Sequence, residues 1–297
     1  PRNSDTVGSG PFKLAEFKPG EHIILEKNEN FFLEGYPKLD RIIIKNYKDV
    51  TSMVLAMDSG EVDMLPFLAG TRDIARLRKN ASIEVTDQGY AAVGPLNWLA
   101  FNTKHEIFKD VRVRRAIAYA IDRDFIVNAL HGGFSTAATG PVHPGSPFFA
   151  PDVESYDLDL AKAAALLDEA GYPAGSDGVR FSVELDYLPA FAEQQKNVAE
   201  YLRPQLKKVG IAVQLRASPD FPSWAKRVSS HEFELTMDIV FNWGDPVIGV
   251  HRTYVCSNIR QGVIWSNTQS YCNEEVDALL DAAGKEIDQA KRQTLYR

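Results

Sequence analysis

No segment of the sequence approaches the roughly 20 apolar residues that a helix needs to cross a bilayer. Positive charge is also in short supply, because 33 lysine and arginine residues face 40 aspartate and glutamate residues, which gives a net charge of −7. A protein that binds nucleic acid needs a basic surface. The sequence therefore predicts neither a membrane-spanning segment nor a nucleic-acid partner.

The motifs of common enzyme sites are missing too. The sequence contains no Gly-x-Ser-x-Gly nucleophile turn, no phosphate-binding Gly-x-x-x-x-Gly-Lys loop and no dinucleotide-binding Gly-x-Gly-x-x-Gly. Neighbouring carboxylates, such as Asp157 with Asp159, lie at predicted helix starts, where the helix dipole favours negative charge. No metal and no cofactor is predicted, because the six histidines are dispersed along the chain: His22, His105, His131, His143, His231 and His251.

Cysteine is scarce. Cys256 and Cys272 are the only two, and both lie in a polar stretch rich in turn-forming residues. They are either two free thiols or one disulfide, which requires an oxidising compartment, and the local context favours the disulfide. A zinc site is not indicated, because no pair of histidines lies near enough to complete four ligands.

The two ends of the sequence predict a longer protein. The chain begins at Pro1 without a methionine or an apolar leader, so a signal peptide is absent or already removed. It stops at Arg297, inside a run that still has a helical pattern.

Short apolar segments alternate with helical patterns, which is typical of an α/β fold. Strands are predicted at His22–Lys27, at Arg41–Lys45 and, more briefly, at Val62–Leu65. Asp110 is predicted to cap a helix, and Asp157 to open another that is rich in alanine and leucine. Between them, residues 134–156 contain four prolines and predict a long irregular segment, which is where functional loops are often found.

A series of separated motifs runs through the chain in order. The most specific one joins Leu99-Ala100-Phe101-Asn102 to Phe108-Lys109-Asp110-Val111-Arg112. Together the motifs resemble the large periplasmic solute-binding proteins of peptide-type ABC importers, which include the oligopeptide and dipeptide binders. Glu29 departs from the family pattern, which has a proline at that position. The motifs occupy residues 8–14, 27–32, 60–63, 99–102, 108–117, 120–123, 161–172, 205–211 and 273–280.

This resemblance implies an α/β fold of the two-lobed periplasmic-binding-protein type, with a discontinuous first lobe and mixed sheets flanked by helices. Residues 1–95 would be the middle segment of an incomplete first lobe, and residues 96–297 a nearly complete second lobe. The implied protein is a periplasmic monomer that passes a peptide or small molecule to the permease subunits of an ABC importer in the inner membrane. Cys256 and Cys272 also have the place and spacing of a disulfide in the dipeptide-binding members.

The resemblance also locates a ligand pocket, in the stretch from Asp238 to Pro246. The position of the family's amine-binding aspartate falls on Asn242, whose amide accepts a hydrogen bond but carries no charge. A hydrogen bond to a charged group contributes about 1.5–3 kcal/mol, and a neutral one only about 0.5–1.5 kcal/mol. We therefore expect weaker binding of an α-ammonium group unless Asp238 or Asp245 compensates.

Other candidate ligand contacts each have a structural alternative. Arg252 either pairs with a ligand carboxylate, which its guanidinium matches in shape, or forms a structural salt bridge. Asp245 either contacts ligand or belongs to a simple turn. Three aromatic residues and one amide complete the candidates, and each aromatic either contacts ligand or packs the core or the hinge: Asn97, Trp98, Phe241 and Trp243.

Two classes of function remain open. The leading hypothesis is a non-catalytic importer component that captures a peptide, with an opine-like solute, a sugar-derived solute or a metal chelate as rival ligands because of Asn242. The competing hypothesis is a secreted hydrolase, which requires two carboxyl groups facing each other across a cleft at about 5–10 Å.

Overall fold

The computed structural model describes residues 6–66, 71–188 and 192–297. The chain forms two compact units, residues 1–83 and residues 84–297. The assignment of residues 1–95 and 96–297 to two lobes of a binding protein stays a prediction.

The first unit contains one antiparallel sheet and two helices. Its strands are β1 (Phe12–Lys18), β2 (His22–Lys27) and β3 (Arg41–Lys45), in that order, and its helices are α1 (Val50–Asp58) and α2 (Thr71–Leu77). The prediction of the strands β2 and β3 is confirmed. The strand predicted at Val62–Leu65 is wrong, because the amides of Glu61 and Val62 donate to the carbonyl of Ala56 and so cap the end of α1.

The second unit is larger and mixes strands with helices. A π-helical turn (Ile126–Leu130) follows α6 and a 3₁₀ turn (Cys256–Asn258) follows α11. Over the described ranges, no helix of the chain is both long and apolar enough to cross a membrane. The elements are α3 (Tyr90–Val93), β4 (Pro95–Phe101), α4 (Glu106–Lys109), α5 (Val111–Ala120), α6 (Arg123–Phe125), α7 (Leu160–Glu169), β5 (Phe181–Tyr187), α8 (Ala192–Lys207), β6 (Ile211–Ala217), α9 (Phe221–Ser229), β7 (Leu235–Phe241), α10 (Pro246–Gly249), α11 (His251–Tyr254), α12 (Glu274–Lys285) and α13 (Gln289–Tyr296).

The second unit is built on a mixed four-stranded sheet with the order β4-β7-β5-β6. Strand β4 runs antiparallel to β7, whereas β5 runs parallel to both β6 and β7. Strand β7 is therefore an inner strand, and all of its residues except Phe241 are buried. A strand that is covered on both faces is mostly apolar, and in the run Leu-Thr-Met-Asp-Ile-Val-Phe only Thr236 and Asp238 depart from this.

The two faces of this sheet pack against different helices. Leu185 and Leu235 point to the main core, where α5, α7 and α8 contribute buried side chains such as Ile117 and Leu167. Their strand neighbours alternate to the opposite face, as the pleat requires. On that face Trp224 of α9 is fully buried and its indole N–H donates to the hydroxyl of Thr236 at 3.1 Å.

Capping side chains set the helix starts. Asp110 is the N-cap of α5, as predicted, and accepts from the amide of Arg112 at 2.8 Å. The helix predicted to open at Asp157 begins later, because Asp159 is the N-cap of α7 and its own amide donates to the carbonyl of Tyr119. Residues 134–156 form neither helix nor strand, which confirms the predicted irregular segment.

The two cysteines are bonded to each other. Cys256 and Cys272 form a disulfide with a Cα–Cα distance of 4.7 Å. Inside the closed segment Asn267 is fully buried, and its amide donates to the carbonyls of Tyr254, Val255 and Tyr271. The disulfide and this hydrogen-bonded turn together fix the segment that leads from α11 to α12.

Replacing both cysteines by serine is expected to lower the free energy of unfolding by about 3 kcal/mol, because the unfolded chain regains the freedom of the loop. The measurement is guanidinium unfolding of the double variant against the parent. A reducing agent should cause the same loss in the parent and none in the variant. Equal midpoints for parent and variant would contradict this expectation.

Candidate functional site

The candidate residues gather at one edge of the four-stranded sheet. Strands β5, β6 and β7 end at this edge, and β4 begins there, because β4 runs in the opposite direction. In open α/β sheets, ligands bind outside the carboxyl ends of parallel strands. The sequence-predicted residues at or beside this edge are Asn97, Trp98, Asp238, Phe241, Asn242, Trp243 and Asp245.

Asn242 follows β7 and uses its amide on the protein itself. Its side-chain oxygen accepts from the amide of His143 at 2.6 Å, and its side-chain nitrogen donates to the carbonyl of Pro141 at 3.3 Å. The residue is 2% exposed. It packs so closely against Gly94 that a Cβ added there would lie only 3.1 Å from the Cβ of Asn242. In this conformation Asn242 holds the irregular segment against the start of β4.

Trp243 is the exposed aromatic of this edge. Its backbone lies in the left-handed region (φ 56°), its amide donates to the carbonyl of Val93 at 3.0 Å, and 49% of the residue is exposed. The ring lies 5.3 Å from that of Phe241, between centroids. A non-glycine residue is rarely held in this conformation, and such strain is concentrated at functional sites. The alternative of a core anchor does not fit this exposure.

Asp245 has a structural role in this conformation. It is the N-cap of α10 and accepts from the amide of Val247 at 2.9 Å. Both carboxylate oxygens also accept from Arg292 of α13, at 3.0 and 2.6 Å. Burial opposes ionisation here, but these hydrogen bonds hold the pKa of Asp245 below its usual range. The carboxylate is therefore ionised and already paired.

Asp238 is the least compensated carboxyl group at the edge. It is 5% exposed, lies directly opposite Trp98 in the β4–β7 ladder, and accepts from the amide of Ile239 at 2.6 Å. Burial raises its pKa to about 7, although Arg252 and the indole of Trp265 act in the opposite direction. The side chain of Trp265 thus interacts directly with this carboxyl group.

Arg252 is a partly buried cation in the part of the sequence that leads to α12. It lies on α11, and its Nε is buried without a hydrogen-bond partner. Within the described residues its side chain takes part in no ion pair within 4.0 Å, so the predicted alternative of a structural salt bridge is not realised in this conformation. Burial lowers the pKa of its guanidinium and the charge of Asp238 raises it.

Asn97 faces the opposite side of β4 and belongs to a polar group that sequence reasoning missed. Its side-chain oxygen accepts from Gln195 of α8 at 3.0 Å. The neighbouring Gln194 approaches the ring of His131 at 3.2 Å, and burial lowers the pKa of that histidine. These amides carry no charge and can donate or accept hydrogen bonds at the edge.

A buried ion pair lies one strand away. Asp186 of β5 is 1% exposed and accepts two hydrogen bonds from Arg227 of α9, at 2.8 and 2.6 Å, and one from Ser218 at 2.9 Å. Asp186, Asp238 and Asp245 therefore have separate partners, and no two of them share one. Two of the three are thus engaged by arginines, and the hydrolase hypothesis, which requires a facing carboxyl pair, stays a prediction.

The sequence offered no signal for Arg227, Gln195 or Trp265. Each lies in an ordinary helical or turn context, and its partner lies far away in the chain.

Comparison with known proteins gives a consistent result. Residues 1–261 match the family described as bacterial extracellular solute-binding proteins, family 5, middle region. The chain is 30% identical to the heme-binding protein A of Haemophilus influenzae over 300 residues, which is 99% of this chain and 52% of that protein.

Two solved structures are similar over nearly the whole chain. The periplasmic binding protein DppA from Helicobacter pylori, in complex with the peptide STSA, gives a TM-score of 0.84 at 25% identity, over 97% of this chain and 54% of that one. The binding protein AgaA from A. tumefaciens R10, in complex with agropinic acid, gives 0.78 at 27% identity, over 99% and 58%. The chain thus spans about half the length of the proteins it matches.

Proposed function

Because the chain belongs to the bacterial extracellular solute-binding proteins of family 5, we propose that it captures a small polar solute for an ABC importer. The family consists of extracellular solute-binding proteins. The finer proposal is a periplasmic, monomeric component that passes its ligand to permease subunits in the inner membrane, changes no bond in it and needs no cofactor or nucleic acid.

The main support for this proposal is the set of side chains at the edge of the four-stranded sheet. It combines half-exposed tryptophans with neutral amides, and the partly buried guanidinium of Arg252 on α11 interacts with Asp238 there. Binding sites for small molecules are mostly apolar or aromatic surfaces with a few polar groups that fix the orientation of the ligand. The carboxylates of Asp186 and Asp245 are occupied by arginines, which favours binding over hydrolysis.

The class of solute is open within this proposal. One similar structure contains a peptide and another contains agropinic acid, so both peptides and non-peptide solutes are reasonable ligands. Peptides are the default class, because the motifs of the chain resemble those of peptide-type binding proteins. The engagement of Asn242 by the irregular segment supports the rival solutes, because that amide offers no charge to an α-ammonium group.

The test is a binding screen on the complete natural protein that contains this chain. Thermal shift and isothermal titration are run with di- to pentapeptides, opine-like compounds, sugar derivatives and metal chelates. We expect saturable binding of at least one class, with a rise of the melting temperature that increases with ligand concentration. A screen in which no class binds would contradict the proposed function.

A variant of Trp243 tests where the solute binds. Trp243→Ala is expected to weaken the affinity for the solute found in the screen by about tenfold or more, because exposed tryptophans often dominate binding energy. Leu158→Ala is the matched control, since Leu158 is a similarly exposed apolar residue (45%) that lies just before α7 and outside the candidate site. Equal effects of the two changes on affinity would contradict a site at this edge.

A further inference from the structure

Arg252 is unusual among the arginines of the described residues. Every other partly buried guanidinium donates at least one hydrogen bond to a carboxylate or a backbone carbonyl, but that of Arg252 donates none. An incompletely solvated charge without a partner costs free energy in the ligand-free protein. The other arginines are Arg114, Arg123, Arg180, Arg216, Arg227 and Arg292.

A second unmatched donor lies near the same carboxyl group. The indole N–H of Trp98 is buried without an acceptor, and Trp98 is paired with Asp238 in the ladder. Its ring meets that of Tyr254, two residues after Arg252, in an edge-on contact with centroids 6.2 Å apart. Two donors without a hydrogen-bond partner, Trp98 Nε1 and Arg252 Nε, thus belong to residues that neighbour or interact with Asp238.

An aromatic wall completes this group. Trp265 is 44% exposed, interacts with the carboxyl group of Asp238 and is held at φ 55°, the same unusual conformation as Trp243. Such backbone strain persists only where the surrounding structure enforces it. We call Trp98, Asp238, Arg252 and Trp265 the Arg252 site.

The charges at this edge do not balance. Asp186 and Asp245 are neutralised by Arg227 and Arg292, respectively. Burial keeps Asp238 largely protonated below its raised pKa of about 7. Among the described residues the guanidinium of Arg252 thus forms no ion pair within 4.0 Å, although it interacts electrostatically with Asp238.

We propose that the Arg252 site binds a non-peptide solute through a carboxylate, which accepts a bidentate hydrogen bond from Arg252. The rest of the solute stacks on the tryptophans. Guanidinium and carboxylate match each other in shape and charge. The carboxylates of Asp186 and Asp245 are already paired with arginines, and burial disfavours the ionised form of Asp238, so a free peptide amine should add little to binding. This inference rests on the proposed function, since it names the class of solute.

The first test needs no ligand. Arg252→Met keeps the length of the side chain and removes the charge, so the melting temperature of the ligand-free protein should stay the same or rise. Arg227→Met is the matched control and should lower the melting temperature by several degrees, because it strands the buried Asp186. Equal losses in the two variants would show that Arg252 has a structural partner and would overturn the proposal.

The second test uses pairs of compounds that differ only in charge. Benzoate, succinate and N-acetylphenylalanine are titrated beside their primary amides, together with the dipeptide Ala-Ala and its N-acetylated form. We expect a carboxylate to bind at least about tenfold more tightly than its amide, equivalent to 1.4 kcal/mol, and Arg252→Gln to abolish the difference. Acetylation of the dipeptide should not weaken binding.

The outcomes separate this inference from the proposed function. Tight binding of amides, an unchanged preference in Arg252→Gln, or binding that requires the free amine of Ala-Ala would each overturn the inference and leave a solute-binding protein. The same holds if no carboxylate binds but another class of the screen does. If nothing in the wider screen binds, the proposed function fails and the inference fails with it.

Discussion

Asp238→Asn is expected to raise the free energy of unfolding in mildly alkaline solution by up to about 4 kcal/mol. The substitution keeps an oxygen that accepts from the amide of Ile239 and removes the charge that burial disfavours. The pKa of Asp238 is about 7 in the folded protein and 3.8 without the fold. Few single substitutions stabilise a protein by this much, because most of them remove favourable contacts.

The sign follows from proton linkage. Because the pKa is higher in the folded state, the folded protein holds the proton more tightly, and its stability declines as the pH rises from about 4 through about 7. The variant lacks this decline. Guanidinium unfolding of parent and variant over that range should give nearly equal midpoints near pH 4 and a clear advantage for the variant near pH 8. Parallel curves would contradict burial as the cause of the raised pKa.

Asp186→Asn is expected to have the opposite effect and to lower the free energy of unfolding by about 3–5 kcal/mol. Asp186 is as buried as Asp238 and also accepts from the amide of the next residue, at 3.0 Å. It differs in holding Arg227 and Ser218. An amide in its place leaves the buried guanidinium of Arg227 without its counter-ion.

The comparison has an internal control. The double variant Asp186→Asn with Arg227→Met removes both charges and should recover part of the loss, because a buried pair is more costly to break than to replace by neutral side chains. The measurement is again guanidinium unfolding. A loss of less than about 1 kcal/mol in Asp186→Asn alone would mean that the pair is weakly coupled.

Several elements of the fold could be predicted from local pattern. Strands β2 and β3 begin and end where their apolar residues do, and Asp110 caps α5 as its position before an apolar helical pattern indicates. The errors arose where a backbone hydrogen bond outside the apolar pattern decides the outcome, whether its partner is near in the chain or far from it. The start of α7 depends on a hydrogen bond from Asp159 to Tyr119, and the amide of Val62 is taken by the end of α1.

The candidate site shows the same division. The sequence placed Asn242, Trp243 and Arg252 near a ligand, and the structure brings the first two, with Trp98 and Asp238, to one edge of a sheet. The sequence gave no indication that the side-chain amide of Asn242 is hydrogen-bonded to the backbone of Pro141 and His143, which lie about a hundred residues away in the chain. The roles of Asn242, Trp243 and Arg252 as ligand contacts stay predictions.

The sequence by itself determined the alternation of strands and helices, the context of the two cysteines and the motifs of the family, because each depends on residues close together in the chain. The tertiary structure alone decided which charges are neutralised. Asp186 pairs with Arg227, 41 residues away in the chain, and Asp245 with Arg292, 47 residues away. In the described part of the chain Arg252 forms no ion pair within 4.0 Å and interacts with Asp238 only at longer range. Pairing of this kind depends on how helices pack on a sheet, and no local pattern encodes it.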